Sequence, residues 1–431
     1  MNSNLRVPGA SDKYFYYTAS GSGATMDVRV NLYFKSKVDV DALRAGLEKA
    51  LSLFPEFAYR PVIKEGKIFF ESNNAPVKVI RHDRIINLGS DETNGYLMAI
   101  IQDSEDDKHV IISMYHGISD WRGLSSFLKT ALYYYAKIEL SPEELAKAEI
   151  RTKEPENWDT PENLDPYNTF ADKDIEPSFV PDFANYYPLP VEFYNPAETY
   201  SHHYRITLSL SEFLKASKSM HTSFMPLMIS LMVKAVNNNY DIGSRNILTA
   251  LPVDLRAVFK CSSIVNFSDA VFIPVSSQEL AMNDEDFCAY IKNVINLQRK
   301  PENYAKSLYN KACAVREFEK EDIISKSKEL TSSVPGGVTY GTSYLGIMDM
   351  PGAVNDLFEN IFVDAPFALS YFIITTFRDI LNVTSIQRFD DDKLARAMNS
   401  ELIKAGFKTE FTDRGRISHN IVDLEKLRKV E

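Results

Sequence analysis

His116 and Asp120 are the pair of residues in this chain whose types and spacing best suit proton-transfer chemistry. The unperturbed pKa of histidine lies near neutrality, so an imidazole can take a proton from a reacting group and return it. His419 and Asp423 repeat the His-x-x-x-Asp spacing near the carboxyl end. With 7 histidines and 59 acidic residues in 431, about one such match is expected by chance. The context of each pair therefore has to decide between them.

The first pair lies where a predicted strand passes into a predicted helix. The apolar run from Val110 to Met114 is rich in strand-forming residues and too short for a helix. A helical pattern follows directly after Asp120, with apolar residues at positions 124, 127, 128, 131, 132 and 135. The second pair follows the polar segment Thr412–Arg416, which we expect to be a turn, so we interpret His419 as a chance match. Asp120 has a second interpretation, as the N-cap of the helix, and the two roles are compatible.

Other motifs that suggest chemistry have the wrong spacing. Gly341–Gly346 resembles a nucleophile elbow, but its second glycine lies one residue too far along for Gly-x-Ser-x-Gly. Gly21–Gly23 lacks the spacing of a phosphate-binding loop. His202 and His203 are expected on a strand, where neighbouring side chains face opposite sides, so they do not suit one metal ion. We expect them to be exposed and half-buried strand residues and predict no metal site.

The composition is that of an ordinary globular protein, with 45% hydrophobic and 25% charged residues. The net charge of −11 argues against a nucleic-acid-binding protein. The longest uncharged apolar stretch, Ala365–Phe377, is too short to cross a bilayer, and no secretory signal is seen. Three scattered cysteines argue against disulfides and against a cysteine-based zinc site. We therefore expect a cytoplasmic protein without a membrane span.

A change in composition along the sequence divides the chain into two halves, each with both helical and strand patterns. We predict an amino-terminal lobe over residues 1–155, a connecting strap over 156–200 and a carboxyl-terminal lobe over 201–431. The strap is rich in proline and aromatic residues, so we expect it to pack against the lobes without long regular elements. The predicted regular elements are helices over 40–54, 211–220 and 226–236, and strands over 28–34, 203–210, 246–252, 270–275, 371–377 and 381–386.

Several of these motifs, in this order, resemble a known family. His116-x-x-x-Asp120 is followed about 140 residues later by Leu251–Arg256, then by Val265-Asn266-Phe267, and finally by Thr342–Gly346. Together they resemble the condensation-domain and alcohol acetyltransferase-like group of the chloramphenicol acetyltransferase-like superfamily of coenzyme A-dependent acyltransferases. The resemblance covers most of the chain. It implies an α/β (α+β) fold of two similar lobes, each a mixed sheet flanked by helices, which meet at a central tunnel.

The resemblance also implies roles for individual residues. His116 matches the family's general base, and Asp120 matches an aspartate that supports the motif loop. Arg256 matches the arginine that pairs with this aspartate. Ser343 matches a position whose hydroxyl donates to the oxyanion in some relatives. The implied reaction moves an acyl group from a thioester to an alcohol or amine acceptor, with coenzyme A or a separate carrier protein bearing the acyl group and no tightly bound cofactor.

Two positions depart from the family pattern. Tyr115 stands where many condensation domains have a first histidine, and Trp121 stands where they have glycine. A large indole at that position suits a narrowed tunnel or a changed acceptor specificity. Two hypotheses therefore remain open: an acyltransferase that uses His116, and a catalytically inactive condensation-like docking protein in which Trp121 plugs the tunnel.

Overall fold

The computed structural model describes residues 5–20, 26–81, 84–146, 164–192, 200–261, 263–332, 336–350, 352–365 and 369–428. The strands in these ranges are β1 Leu5–Arg6, β2 Asp27–Phe34, β3 Tyr59–Lys64, β4 Lys67–Ser72, β5 Val79–Ile80, β6 Met98–Gln102, β7 His109–Tyr115, β8 Tyr200–Ser209, β9 Ile247–Asp254, β10 Ser268–Val275, β11 Tyr340–Ile347, β12 Phe358–Asp364, β13 Tyr371–Phe377, β14 Ile380–Gln387 and β15 Glu410–Ser418. The helices are α1 Ala10–Thr18, α2 Val40–Leu53, α3 Trp121–Glu139, α4 Pro142–Ala146, α5 Pro166–Thr169, α6 Leu210–Ser219, α7 Phe224–Asn239, α8 Leu255–Phe259, α9 Ser277–Leu280, α10 Asp284–Gln298, α11 Glu302–Phe318, α12 Ile323–Thr331, α13 Gly352–Asn355 and α14 Lys393–Lys404.

Two mixed sheets organise the described chain, together with a small sheet of order β1-β4-β3. The first has five strands in the order β12-β2-β7-β6-β5, and the second has seven in the order β10-β9-β11-β13-β14-β8-β15. Most neighbours are antiparallel, while β11 runs parallel to both β9 and β13 and β5 runs parallel to β6. Helices flank the sheets, as the predicted α/β class requires.

The elements around the histidine motif form where the sequence pattern predicts them. Every residue of β7 is buried, and α3 begins directly after Asp120. Alternate residues of β2, Val28 to Phe34, join a core with α2 and α3. Gly46 lets α2 approach α3 closely, because a Cβ there would lie 2.6 Å from the carbonyl oxygen of Ala131. The motif therefore stands on a rigidly packed strand and helix.

The opposite face of β2 is polar and buried, and it faces strands of the second sheet. Arg29 Nη1 donates to the carbonyl of Ser418 on β15 over 3.2 Å. Asn31 Nδ2 donates to Asp364 Oδ2 over 3.0 Å, and Arg414 forms an ion pair with the same carboxylate. We call this buried polar layer the seam.

Strand β12 crosses from the later part of the chain into the first sheet. It pairs antiparallel with β2, from Phe358 opposite Phe34 to Asp364 opposite Arg29. The next strands in the chain, β13 and β14, pair with each other in the second sheet. The predicted lobe boundaries at 155 and 200 remain a prediction.

Two local expectations meet different outcomes. Thr412–Arg416, expected as a turn, belongs to β15, whose pairing with β8 shifts register between Asp413 and Arg416. Gly415, with φ +70°, lies within this irregularity. Glycine among polar residues is also typical of turns, which is why the composition of the segment predicts a turn. In the described part of the strap, residues 164–192, Tyr167 is buried and Phe170 stacks on Phe267. Residues 156–163 and 193–199 of the predicted strap lie outside the described residues.

The sequence predicts a protein without a membrane span. Within the described ranges, no helix combines the length and the apolar character that a bilayer span needs.

Candidate active site

Strand β7 ends at Tyr115, and His116 is the first residue of the tight connection between β7 and α3. The backbone N–H of His116 donates to the carbonyl of Met26 over 2.8 Å, which continues the ladder between β7 and β2 by one step. Tyr115 is fully buried, and its hydroxyl bonds to Ser20 over 3.0 Å. A Cβ at Gly117 would overlap the ring of Tyr115, so the chain can turn here only with glycine. Tyr115, at the position of the family's first histidine, is thus a packing residue.

The imidazole of His116 is held against an aromatic ring. It stacks on Phe15 of α1 with the ring centroids 5.3 Å apart and the planes 12° from parallel. The residue is partly exposed, while its Nδ1 atom is buried. Burial lowers the pKa of His116 below 6.5, against the opposing effects of its own carbonyl, the charge of Asp120 and the side chain of Asn266. The ring is therefore neutral at pH 7, the state that a general base requires.

Asp120 combines the two roles that the sequence left open. Its Oδ1 accepts from the backbone N–H groups of Arg122 over 3.1 Å and Gly123 over 3.4 Å, so it caps α3. Its Oδ2 accepts from Arg256 Nη1 over 2.7 Å and from the backbone N–H of Phe267 over 2.8 Å. The cap and the ion pair use different oxygens of one carboxylate.

Arg256 connects the motif loop to a segment that we call the latch, residues 254–261 and 263–267. The side chains of Arg256 and Asp120 are 6% and 8% exposed. Burial lowers the pKa of Arg256, but the charge and hydrogen bond of Asp120 outweigh it and raise the pKa overall. Nη2 also donates to the carbonyl of Val265 over 2.6 Å, and Nε donates to that of Ser263. The guanidinium thus holds the latch in shape as well as the loop.

Two further contacts between loop and latch were not assigned from sequence. Ser119 Oγ donates to the carbonyl of Ile264, and Asn266 Nδ2 donates to the carbonyl of His116 over 2.8 Å. A Cβ at Gly123 would overlap both Ser119 Oγ and the carbonyl of Ile264, so glycine permits this close approach. Asn266 lay in a motif that the sequence singled out, whereas no sequence pattern marks Ser119.

Ser343 lies on β11, and its hydroxyl is 2.8 Å from that of Tyr371 on β13. The ring of Tyr371 lies over Gly341, where a Cβ would overlap it. Burial raises the pKa of Tyr371, so the phenol is protonated and able to donate. No hydrogen bond between described residues joins Ser343 to His116. The structure brings His116, Asp120 and Arg256 together and leaves Ser343 in a separate pair.

Trp121 reaches β11 from the first turn of α3. Its Nε1 donates to the carbonyl of Leu345 over 2.6 Å. The pairing of β11 with β13 shifts register between Tyr344 and Ile347, so Leu345 lies outside the regular ladder. The indole N–H satisfies a strand carbonyl at that irregularity.

The remaining histidine motifs lie in or beside the seam. His419 and His203 are both fully buried, and the Nε2 atom of each is 2.7 Å from Ser201 Oγ. The expectation of partial exposure is therefore wrong for His203, because its face of β8 packs in the seam. His202 is half-buried and contacts Asp390 and Asp413.

Comparison with known proteins gives similarity in structure alone. No protein-family model and no curated protein sequence matches the chain. TRI3 trichothecene 15-O-acetyltransferase from Fusarium sporotrichioides superposes with a TM-score of 0.61 at 11% identity, over 94% of this chain and 96% of that one. Polyketide synthase associated protein 5 from Mycobacterium tuberculosis gives 0.58 at 11% identity, over 92% and 96%. F. sporotrichioides TRI101, solved with coenzyme A and T-2, gives 0.57 at 11% identity, over 95% and 100%.

These superpositions cover nearly the whole of each chain, so they concern the complete arrangement of sheets and helices. At such low identity they bear on architecture and leave residue roles open. The chain has the two-lobed chloramphenicol acetyltransferase-like fold that the sequence resemblance implied.

Proposed function

We propose that this protein is an acyltransferase that moves an acyl group from a thioester to an alcohol or amine acceptor, with His116 as the general base. The observation that carries the proposal is a neutral, partly exposed imidazole on a loop fixed by the buried pair of Asp120 and Arg256. The fold supports it, because one of the similar structures was solved with coenzyme A and another is an acetyltransferase.

In the proposed reaction, His116 takes the proton from the acceptor hydroxyl or amine as the acceptor atom attacks the thioester carbonyl. The tetrahedral intermediate then collapses, the carbon–sulfur bond breaks, and the imidazolium returns the proton to the leaving thiolate. Protons and charges balance without a further cofactor. Asp120 and Arg256 take no part in the transfer and keep the loop in place. The donor is an acyl-coenzyme A or an acyl group on a separate carrier protein, and the acceptor is a small molecule.

The test is thiol release from short and long acyl-coenzyme A donors, and from an acyl carrier protein, with a panel of alcohols and amines. His116→Asn is expected to lower kcat about 10²- to 10⁴-fold, the contribution of a positioned base, while KM changes little. His221→Asn is the matched control, because His221 lies on an exposed turn at φ +48°, which asparagine tolerates.

Two results would contradict the proposal in different ways. Equal rates for the wild type and His116→Asn would remove His116 from the mechanism. No thiol release by the wild type above the blank, with any donor on the panel, would favour the docking protein over the enzyme.

A further inference from the structure

A cavity separate from the candidate active site lies beside the end of α2. Its volume is about 330 Å³, at the small end of the range for pockets that bind small molecules. Its walls come from the last two turns of α2, the turn Pro55–Ala58, the connection between β4 and β5, and Tyr96. None of the described residues that line it belongs to residues 116–120, to the latch or to the seam. The cavity is therefore a candidate for a second binding site.

One wall of the cavity is apolar and held in place. It is formed by Leu51, Ala58, Pro76 and the ring of Tyr96. Leu51 and Tyr96 are only 5% and 3% exposed, so the core fixes both. The hydroxyl of Tyr96 donates to the carbonyl of Ala75 over 2.7 Å, which ties the connection between β4 and β5 to this wall. A preformed apolar wall of this kind suits a short hydrocarbon chain.

Glu48 is the charged residue of the lining. Its Oε1 accepts from the backbone N–H of Val77 over 3.0 Å, and among the described residues its carboxylate has no ion pair. The lysines that follow these two residues in the sequence act elsewhere: Lys49 lies over an aromatic ring of α3, and Lys78 donates to a backbone carbonyl. After burial, the charge of Glu48 is the second cause of the raised pKa of Tyr96. The cavity thus has a negative charge without a counter-ion from the described chain.

The other polar groups of the lining present mainly lone pairs, because they donate their hydrogens elsewhere. Ser52 Oγ donates to the carbonyl of Lys49 over 2.6 Å, and the hydroxyl of Tyr96 donates as described above. The side chain of Asn73 holds two backbone groups over 2.8 and 3.1 Å, and Asn74 lies on the exposed rim. An ammonium group has three donors and no acceptor, so it matches a lining of this kind.

We propose that this cavity binds a primary ammonium group carried on a short apolar chain, with Glu48 as its counter-ion. The ammonium donates to the second oxygen of the carboxylate, and the chain lies along Leu51 and Pro76. A neutral alcohol of the same length gains the apolar contact without a charge-assisted hydrogen bond, and the carboxylate repels an anion. The inference does not rest on the proposed acyl transfer, because binding is measured without a thioester.

The first measurement compares n-butylammonium, 1-butanol and butyrate, titrated into wild-type protein with ¹³C-labelled alanine methyl groups. Ala58 and Ala75 line the cavity, and each signal is assigned by its loss in Ala58→Ser or Ala75→Ser. We expect n-butylammonium to shift both signals saturably and to bind about 5- to 10-fold more tightly than 1-butanol, because hydrogen bonds to charged groups are the stronger ones. Butyrate is expected not to bind. Equal affinities for n-butylammonium and 1-butanol, or no saturable shift with n-butylammonium, would overturn the inference.

The second measurement repeats the titrations with Glu48→Gln. This variant keeps an oxygen for the N–H of Val77 but removes the charge, so n-butylammonium is expected to bind about 5- to 10-fold more weakly while 1-butanol binds as before. Glu56→Gln is the matched control, because Glu56 lies on the turn Pro55–Ala58 outside the lining, and it is expected to bind as the wild type does.

Two outcomes separate the role of Glu48 from a general effect on the fold. If folded Glu48→Gln binds n-butylammonium as tightly as the wild type, Glu48 is not the counter-ion and the inference fails. The same loss of affinity in Glu56→Gln would also count against it, since a charge outside the cavity would then have the same effect. The comparison of the three probes needs no variant of Glu48, so it decides the question even where Glu48→Gln does not fold.

Discussion

At the scale of single residues, Trp121 is the departure from the family pattern that the structure explains. Its indole N–H bonds to Leu345 where β11 leaves the regular ladder, and its ring packs against the core of the first sheet. These contacts join α3 to β11, so the bulky side chain has a structural role that does not depend on a tunnel.

Trp121→Phe keeps an aromatic ring but removes the donor to Leu345. We expect it to lower the free energy of unfolding by about 0.5–1.5 kcal/mol, the net value of one hydrogen bond. Trp121→Leu also loses packing area and should cost more. Urea denaturation of the three proteins measures both steps. A Trp121→Phe midpoint equal to that of the wild type would show that the hydrogen bond contributes nothing.

The sequence supplied some site residues and missed others for a physical reason. His116 and Asp120 were predicted from their position between a predicted strand and a predicted helix, and Arg256 was predicted from the family resemblance. Asn266 was quoted as part of a motif, but its contact with the His116 carbonyl depends on how the latch folds back. Ser119 and Tyr371 act through contacts between distant segments, and no local periodicity encodes such contacts.

At the scale of elements, the clamp between the motif loop and the latch is the feature that fixes the site. Asp120 and Arg256 form a buried ion pair. Removal of one partner leaves the charge of the other buried and unpaired. Asn at position 120 still caps α3, so Asp120→Asn isolates the loss of the ion pair from the loss of the cap.

We expect Asp120→Asn and Arg256→Met each to lower the free energy of unfolding by about 3–5 kcal/mol. The double variant should cost less than the sum, because no unpaired charge remains, with a coupling of about 0.5–3 kcal/mol. Denaturant unfolding of the four proteins measures this cycle. Asp254→Asn is the control: Asp254 contacts the same Arg256 but its side chain is 40% exposed, so at most about 1 kcal/mol is at stake. Additive single effects would argue against the clamp.

Element prediction succeeded where one face of an element is buried against one layer. The helix after Asp120 and the hairpin of β13 and β14 both follow their apolar patterns closely. It failed over Thr412–Arg416, because this stretch of β15 is polar and irregular and forms a strand only through its partner β8. Such strands are specified by their neighbours more than by their own residues.

At the scale of the whole molecule, the seam buries several histidines between the two sheets. Burial lowers the pKa of His203, His419 and His109, and it does the same for His116 at the motif. Each of these rings binds a proton less readily in the folded chain than in the unfolded chain, whose ordinary value is 6.5. The unfolded state therefore gains protons first as the pH falls.

We expect the free energy of unfolding to decrease as the pH is lowered from 7.5 through 6.5 to 5.5. The unfolded state binds more protons in this window, so stability falls with pH by at most about 1.4 kcal/mol per pH unit for each such histidine. Asp12 and Asp27, whose pKa values burial raises to about 6, oppose the trend below pH 6 because they gain protons in the folded state.

Urea unfolding at a series of pH values measures this dependence, and His419→Gln, which removes one of the buried rings, should show a shallower slope. A free energy of unfolding that stays constant from pH 7.5 to 6.0 would contradict the prediction. The seam could not be predicted from the sequence. Its members are polar residues scattered over β2, β8, β12 and β15, and only the packing of two sheets face to face brings them together.

Strand β12 completes the first sheet from a position about 330 residues beyond the end of its partner β2. During synthesis at about 5–20 residues per second, the edge of β2 therefore waits roughly 20 to 60 s for its neighbour to leave the ribosome. A bare strand edge is a site for wrong pairing between nascent chains. Asp27, Arg29 and Asn31 place polar side chains on one face of that strand, which makes pairing with another hydrophobic chain less favourable until β12 is available.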